Sequence, residues 1–524
     1  MTTSEKLTLP TFDVLLPEIP DKEFSITDFG AIGDGVHLNT EAFANAISAC
    51  VENGGGKVVV PAGIWLTGPI SLKSKLNLHV ESGAVVLFSD NFDHYPLIHS
   101  TFEGEEVIRC QSPIDGEGLE DVAITGKGTF DGSGEAWRPV KRWKMTDIQW
   151  EKLIKSGGFI AKEREEIWWP TEQAANGAKI LKELRAKGSK NIDDYQQIRD
   201  FLRPNMVSIR RSRRVLLEGP TFQNSPAWNV HPFVCQHVTM RNVTVRNPWF
   251  SQNGDGLDLE ACRYAIVENC IFDVGDDAIC IKSGKNEEGR KLGTPSEDIT
   301  IRDCQVYSGH GGFVVGSEMS GGVRNVSITD CTFFGTDTGL RFKSTRGRGG
   351  VVENIVINNI CMNNIKKEAI VFHMFYEISD EDVVKGVVPV TEETPIFRHV
   401  DIRNIVSTGS ETAILMKGLP EMPLEGITFE NLSLVSKSGI TGSQCKDVNF
   451  SNVAITVENG PLFSLENCVN TSINQFTTTK DSNIYLQVSG EKTENMSCHS
   501  NLVDEKDKFV VKEGVNPSEV KLSI

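Results

Sequence analysis

Four short charged motifs fall between residues 253 and 343: Asn253-Gly254-Asp255, Gly275-Asp276-Asp277, Gly309-His310-Gly311 and Arg341-Phe342-Lys343. Asp255 precedes Asp276 and Asp277 by 21 and 22 residues. A carboxylic acid paired with a carboxylate base is the equipment for breaking a glycosidic bond. The acid protonates the leaving oxygen while the base activates water. Crowding of carboxylates is one way to keep a member of the group protonated near neutral pH. Arg341 and Lys343 are suited to gripping a carboxylate carried by the sugar, the Arg through two parallel hydrogen bonds.

The elements between these motifs are short, apolar and β-branched, as in Ala278-Ile279-Cys280-Ile281 and Phe313-Val314-Val315. Such runs read as buried strands. A second pattern repeats around them: an alternating strand, then Asn or Asp, then an apolar residue or Cys. It is seen at Asn242-Val243, Asn269-Cys270, Asp303-Cys304, Asp330-Cys331, Asn359-Ile360, Asn404-Ile405, Asn431-Leu432 and Asn452-Val453, at intervals of 21 to 45 residues. Each interval accommodates one coil of three or four short strands with their turns. The expected fold class is therefore all-β: a single-stranded right-handed parallel β-helix, a solenoid with like side chains stacked in interior ladders. Cys270, Cys304 and Cys331 are expected to form one such ladder. The Asn column is expected to be a turn stack whose amides satisfy neighbouring backbone groups. Adjacent coils lie about 4.8 Å apart, which brings Asp255 within reach of the Asp276–Asp277 pair. Strand alternation puts Arg341 and Lys343 on one face and Phe342 on the other.

Residues 1–23 read as an extended lead-in and 24–524 as the β-helix. Asn39-Thr40 is expected to cap a helix through residues 41–50 whose apolar face plugs the open end of the solenoid. Residues 138–205 break the β pattern. Trp143, Trp150, Trp168 and Trp169 cluster there with helical runs at 147–156, 172–187 and 192–202, and the segment reads as an insertion from one edge of the scaffold. A net charge of −18 argues against nucleic acid or an anionic membrane as a partner. No stretch has the length of a membrane span. The 12 Cys lack C-x-x-C pairs and fit free buried thiols better than a disulfide framework. With no basic and apolar leader at the start, the expected location is the cytoplasm, or the periplasm or exterior if an export signal has been removed.

The four motifs together resemble those of the polygalacturonases, or pectinases, of glycoside hydrolase family 28, whose pattern is N-T-D, G-D-D, G-H-G and R-I-K. Gly254 stands where the family has Thr and Phe342 where it has Ile; no charged position differs. The stretch from Asp28-Phe29-Gly30 to Gly83-Ala84, with Thr67-Gly68-Pro69-Ile70, is also similar. The resemblance implies inverting hydrolysis of α-1,4 links between galacturonic acids. It implies Asp276 as general acid, Asp255 and Asp277 as holders of the attacking water, and His310 as a modulator of the acid or its hydrogen bonds. Arg341 and Lys343 would grip the galacturonate carboxylate, and no metal or other cofactor is needed. Secondary candidates are Asn253, which would orient substrate or Asp255; Lys282, facing cleft or solvent; and His231, lining the cleft or packed beneath it. Tyr376 and Arg346 are weaker ones. The segment 138–205 resembles that of exo-acting bacterial members, and exo-cleavage from the non-reducing end is the expected mode. The alternatives are an endo-enzyme, a hydrolase of decorated or rhamnose-containing pectin, a β-helix pectate lyase and a non-catalytic β-helix adhesion protein.

Overall fold

The computed structural model describes residues 7–162, 166–378, 386–480, 482–500, 502 and 505–523. The protein is a right-handed parallel β-helix, and the chain packs as two compact units, Asp13–Cys280 and Met1–Phe12 with Ile281–Ile524.

In the unit Asp13–Cys280, successive coils pair in parallel and keep one apolar column in register. Phe24 lies against Val58, Val58 against Leu78, Leu78 against Ile124, Ile124 against Leu217, Leu217 against Met240 and Met240 against Val267. From Val58 onward every member is buried. A parallel sheet closed on itself buries one face of every strand, so the alternation in Val58, Val60, Leu76, Leu78 and Val80 becomes a wall of core. Phe88, Phe130 and Phe222 stack above one another as an aromatic column. The helix Thr40–Glu52 packs Ala42, Phe43, Ala46, Ile47 and Cys50 inward. Asn39 does not cap it through its side chain. Its amide instead accepts from the Ile32 N–H and donates to the carbonyls of Ile32, His37 and Leu66, tying the Gly-rich loop to the first coil.

Within 138–205 the helices are Asp147–Lys155 and Glu172–Ala186, followed by 3-10 turns over Ile192–Phe201. A small antiparallel sheet joins Val140–Lys141, Glu166–Trp169 and Phe159–Lys162. Two apolar clusters hold the segment down. Trp137, Leu184, Tyr195, Ile198 and Leu202 pack with Tyr95 and Leu97, and Val140, Trp150 and Trp168 pack with Phe250.

In the other unit, Ile301, Ile328, Ile357, Ile402 and Phe429 form the corresponding column. The polar turn column is built differently from the expectation. Asp330, Asn359, Asn404, Asn431 and Asn452 all take left-handed backbone with φ between 54° and 57°. Asn tolerates that conformation better than branched residues do. Their amides bond one another rather than the backbone: Asn359 to Asp330 at 2.6 Å, Asn431 to Asn404 at 3.1 Å and Asn452 to Asn431 at 2.8 Å. All 12 cysteines are free thiols, and all but Cys361 are buried. Among the described residues no helix is long and apolar enough to cross a membrane.

Candidate active site

Two backbone hydrogen bonds stack the Asn253-Gly254-Asp255 turn on the Gly275-Asp276-Asp277 turn. The Gly275 N–H donates to the Gly254 carbonyl at 3.3 Å, and the Gly256 N–H to the Asp277 carbonyl at 2.9 Å. The register brings the three carboxylates together, with one oxygen from each of Asp255, Asp276 and Asp277 within 4.8 Å of the others. Asp255 and Asp277 are buried and Asp276 is half-buried, so Asp276 is the member most open to a ligand. Its Oδ1 also accepts from the Asp277 N–H at 3.1 Å. Such a group can hold a water between a proton donor and an acceptor, and the same oxygens are close enough to gather a metal ion.

Ser251 crowds both glycines of these turns, and the Pro248 carbonyl, 2.4 Å from a Cβ on Gly275, crowds the second as closely. A Cβ on Gly254 would lie 1.8 Å from Ser251 Oγ and 2.7 Å from Ser251 Cβ. A Cβ on Gly275 would lie 2.4 Å from the same Oγ. Ser251 fills the space a Thr at position 254 would need. Asn253 sits at φ 54° and accepts from Arg203 Nη2 at 2.9 Å. The other nitrogen of that guanidinium donates to the Pro226 and Gln252 carbonyls at 2.8 and 3.0 Å. On the other turn, Lys144 Nζ donates to the Gly275 carbonyl at 3.3 Å. The sequence does not point to Arg203 or Lys144, because a bond from a cation to a distant backbone carbonyl leaves no mark in the spacing of the chain.

His231 is wholly buried, so it does not line an open cleft. Its Nε2 lies 2.8 Å from Glu260 Oε2 and its Nδ1 3.0 Å from the Asn205 amide. The strand Val230–Phe233 has no exposed residue, which leaves a polar ring there only internal partners.

In the unit that holds Ile281–Ile524, the strand Thr338–Lys343 alternates as expected. Phe342 stacks on Phe372 at 4.3 Å and meets Phe313 edge-on at 6.2 Å between ring centroids. Arg341 and Lys343 both lie over the ring of Tyr376, at 5.5 and 4.8 Å from its centroid. The negative face of an aromatic ring attracts both cations, and it brings Tyr376 into the group more firmly than its sequence did. Lys282 is nearly buried and its Nζ lies 3.5 Å from Glu318 Oε2. Burial pushes the Glu318 carboxyl up, but Lys282, Lys343 and Arg348 together outweigh it and hold the group at about 2. Glu318 is an acid that the motifs did not flag. His373, paired in register with Lys343, is held down at about 4 by burial and by Lys417 and Arg341.

His310 is half-buried, with Nε2 4.0 Å from Asp337 Oδ2, and Lys366 reaches the same carboxylate at 3.1 Å. Arg346 is committed elsewhere, with two hydrogen bonds to Glu421 at 2.7 and 2.9 Å.

Comparison with known proteins places the chain in a family. The family described as Glycosyl hydrolases family 28 matches residues 185–471. A Vitis vinifera protein named "Probable polygalacturonase" is 29% identical over 444 residues, covering 82% of this chain and 78% of its own. The exo-poly-alpha-D-galacturonosidase of Dickeya chrysanthemi is 27% identical over 471 residues, covering 87% of this chain and 74% of its own. The crystal structure of a hyperthermoactive exopolygalacturonase from Thermotoga maritima superposes with a TM-score of 0.68 at 32% identity, covering 90% of this chain and 93% of that one. The chain belongs to glycoside hydrolase family 28 and is a glycoside hydrolase.

Proposed function

We propose that this enzyme hydrolyses α-1,4-galacturonosidic bonds in polygalacturonate and its oligomers, with inversion, from the non-reducing end. The observation that carries the reading is the convergence of Asp255, Asp276 and Asp277 on two stacked turns. The cation pair Arg341 and Lys343 on one strand face adds the recognition of an acidic sugar. Asp276, the most open carboxyl, donates the proton to the leaving oxygen, and Asp255 with Asp277 hold and deprotonate the water. His310 tunes the hydrogen bonding around the acid. Arg341 and Lys343 bind the carboxylate of the reacting galacturonate, a task for which a fork and a point charge are complementary. Asn253 and Lys282 support these groups. The names of the relatives from Dickeya chrysanthemi and Thermotoga maritima favour exo-cleavage. So does the packing of residues 138–205 on Phe250, three residues before the first motif.

The carboxylate oxygens approach within 4.8 Å. Inverting pairs are usually separated by about 6.5–9.5 Å to leave room for water. With three carboxylates, two of them hold the water to one side of the acid, and the first-formed anomer reads out the stereochemistry. A product time course on trigalacturonate and polygalacturonate, with the first-formed anomer read by proton NMR, tests the whole reading. Monomer from the start, with the β-anomer appearing first and no ultraviolet-absorbing product, is the expected result. A ladder of oligomers would make the enzyme endo-acting, the α-anomer would make it retaining, and an unsaturated product would replace hydrolysis by elimination. Repeating the course in EDTA separates acid–base chemistry from chemistry at a metal held by the three carboxylates. Activity is expected to be unchanged.

A further inference from the structure

Both turns that carry the carboxylates are gripped from the same segment of chain. Lys144 follows the short strand Val140–Lys141 and is only 3% exposed, with its ammonium on the Gly275 carbonyl, one residue before Asp276. Arg203 is 7% exposed, and its guanidinium spans the Pro226 carbonyl, the Gln252 carbonyl and the Asn253 side chain, ending two residues before Asp255. The anchoring is rigid at both ends. Phe250 of the Asp255 turn packs into the cluster of Val140, Trp150 and Trp168 beside Lys144. The guanidinium of Arg109 bonds the Arg203 carbonyl, and Arg138 bonds the Ser225 carbonyl at 2.6 Å.

Burying a cation is costly unless it is paired and hydrogen-bonded. Burial lowers the Arg203 guanidinium to about 10, with Arg138 pushing the same way and Glu103 and Asp255 opposing, so it stays cationic at neutral pH. Both buried cations reach a peptide beside a carboxylate turn, Lys144 at the Gly275 carbonyl and Arg203 at the Gln252 carbonyl, and that shared geometry points to placement of the turns.

We infer that Lys144 and Arg203 are positioning residues for the reaction, and that residues 138–205 form a clamp fixing the Asp255 turn against the Asp276–Asp277 turn. The inference rests on the reading of these aspartates as the reacting carboxylates. Neither cation need touch substrate. Each acts through a peptide whose displacement would spoil the approach of acid, water and base, and a misplacement of about 1 Å can cost about 10²-fold in rate.

The test uses Lys144→Met, which keeps the apolar stem and removes the ammonium, and Arg203→Met, with trigalacturonate as substrate and circular dichroism as the check on folding. Both variants are expected to lose about 10²-fold in kcat with KM within about twofold of the wild type, because the groups they displace act after binding. If Arg203→Met does not fold, Lys144→Met decides alone. A kcat within about threefold of wild type overturns the clamp while leaving the proposed function standing, provided the wild type turns over and Asp276→Asn does not. A loss confined to KM also overturns it, since Lys144 would then be a substrate contact. No turnover by the wild type on galacturonides defeats the functional reading and the clamp with it.

Discussion

The rings of Phe342 and Phe372 lie 4.3 Å apart between centroids and within 3° of parallel. Phe342 stands between Arg341 and Lys343 in a strand, so the stack in the core fixes the height and direction of two cations on the opposite face. The Tyr376 ring then receives both. The two cations are thus set from inside the solenoid, by an aromatic column.

From that arrangement, Lys343→Ala is expected to weaken binding of galacturonate oligomers by roughly 10- to 100-fold, the range for losing one charge-assisted hydrogen bond of about 1.5–3 kcal/mol. Fully methyl-esterified oligomers of the same length, which lack the anionic group, are expected to lose little. Isothermal titration with both ligands checks this, and equal losses would mean that Lys343 serves the fold instead.

Asp276→Asn is expected to lower kcat by at least about 10³-fold while leaving the melting temperature near that of the wild type, since a positioned acid contributes about 10²–10⁴-fold. The half-buried Asp276 side chain makes the change small for folding. Steady-state kinetics beside a thermal melt decides the matter. Near-normal turnover would remove Asp276 from the role of acid.

Gly254→Ala is expected to cost about 1–3 kcal/mol, because both Oγ and Cβ of Ser251 occupy the space the new methyl needs and a rotation of the hydroxyl does not clear it. Adding Ser251→Gly is expected to restore more than half of the loss. Chemical denaturation of the single and double variants is the check. An undiminished single variant would show that the turn relaxes freely.

Glu318 and His373 are both depressed and contribute to the pH dependence of stability. Glu318 moves from an ordinary 4.5 to about 2, with burial opposing and Lys282, Lys343 and Arg348 prevailing. The stability it contributes is complete above the unfolded value and is lost as pH falls from about 4.5 toward 2. His373 moves from 6.5 to about 4, chiefly through burial and then through Lys417 and Arg341. The unfolded chain binds the proton first, so this contribution is lost as pH falls from 6.5 to about 4. Melting temperature is expected to decline in two overlapping steps on acidification. Glu318→Gln should flatten the lower step and His373→Phe the upper one. Unaltered profiles in both variants would place the acid sensitivity elsewhere.

The coil repeat could be read from the chain because each turn writes Asn or Asp at the same point, and the four motifs because their charges recur at coil-sized intervals. The grouping of Asp255 with Asp276 and Asp277, and the opposite facing of Phe342 from its two neighbours, follow from the parallel stack and from strand alternation alone. What escaped is of another kind. His231 can be read as lining the cleft or packing beneath it, and only its fully buried strand, with Glu260 and Asn205 on its two nitrogens, decides for the second. Asn39 has the residue type of a helix cap, yet competing backbone groups of the nearby loop take its amide. Lys144, Arg203 and Glu318 find their partners through tertiary packing, and no spacing along the chain encodes a bond to a distant carbonyl or an ion pair across coils.

The Asn ladder has a consequence for how such a protein can change in length. Asp330, Asn359, Asn404, Asn431 and Asn452 share one backbone conformation, and several of them hand a hydrogen bond to the rung beside them. From Asn404 through Asn431 to Asn452 each rung therefore presents to the next the amide that it received, while Asn404 itself donates to Asn358. A duplication of one whole coil would slot in with its amide already matched above and below. An insertion of half a coil would put a strand residue where the left-handed turn belongs and break the ladder on both sides. Growth by full rungs is the path the molecule leaves open, and a duplicated coil beyond Asn404 would extend the scaffold without moving the carboxylates.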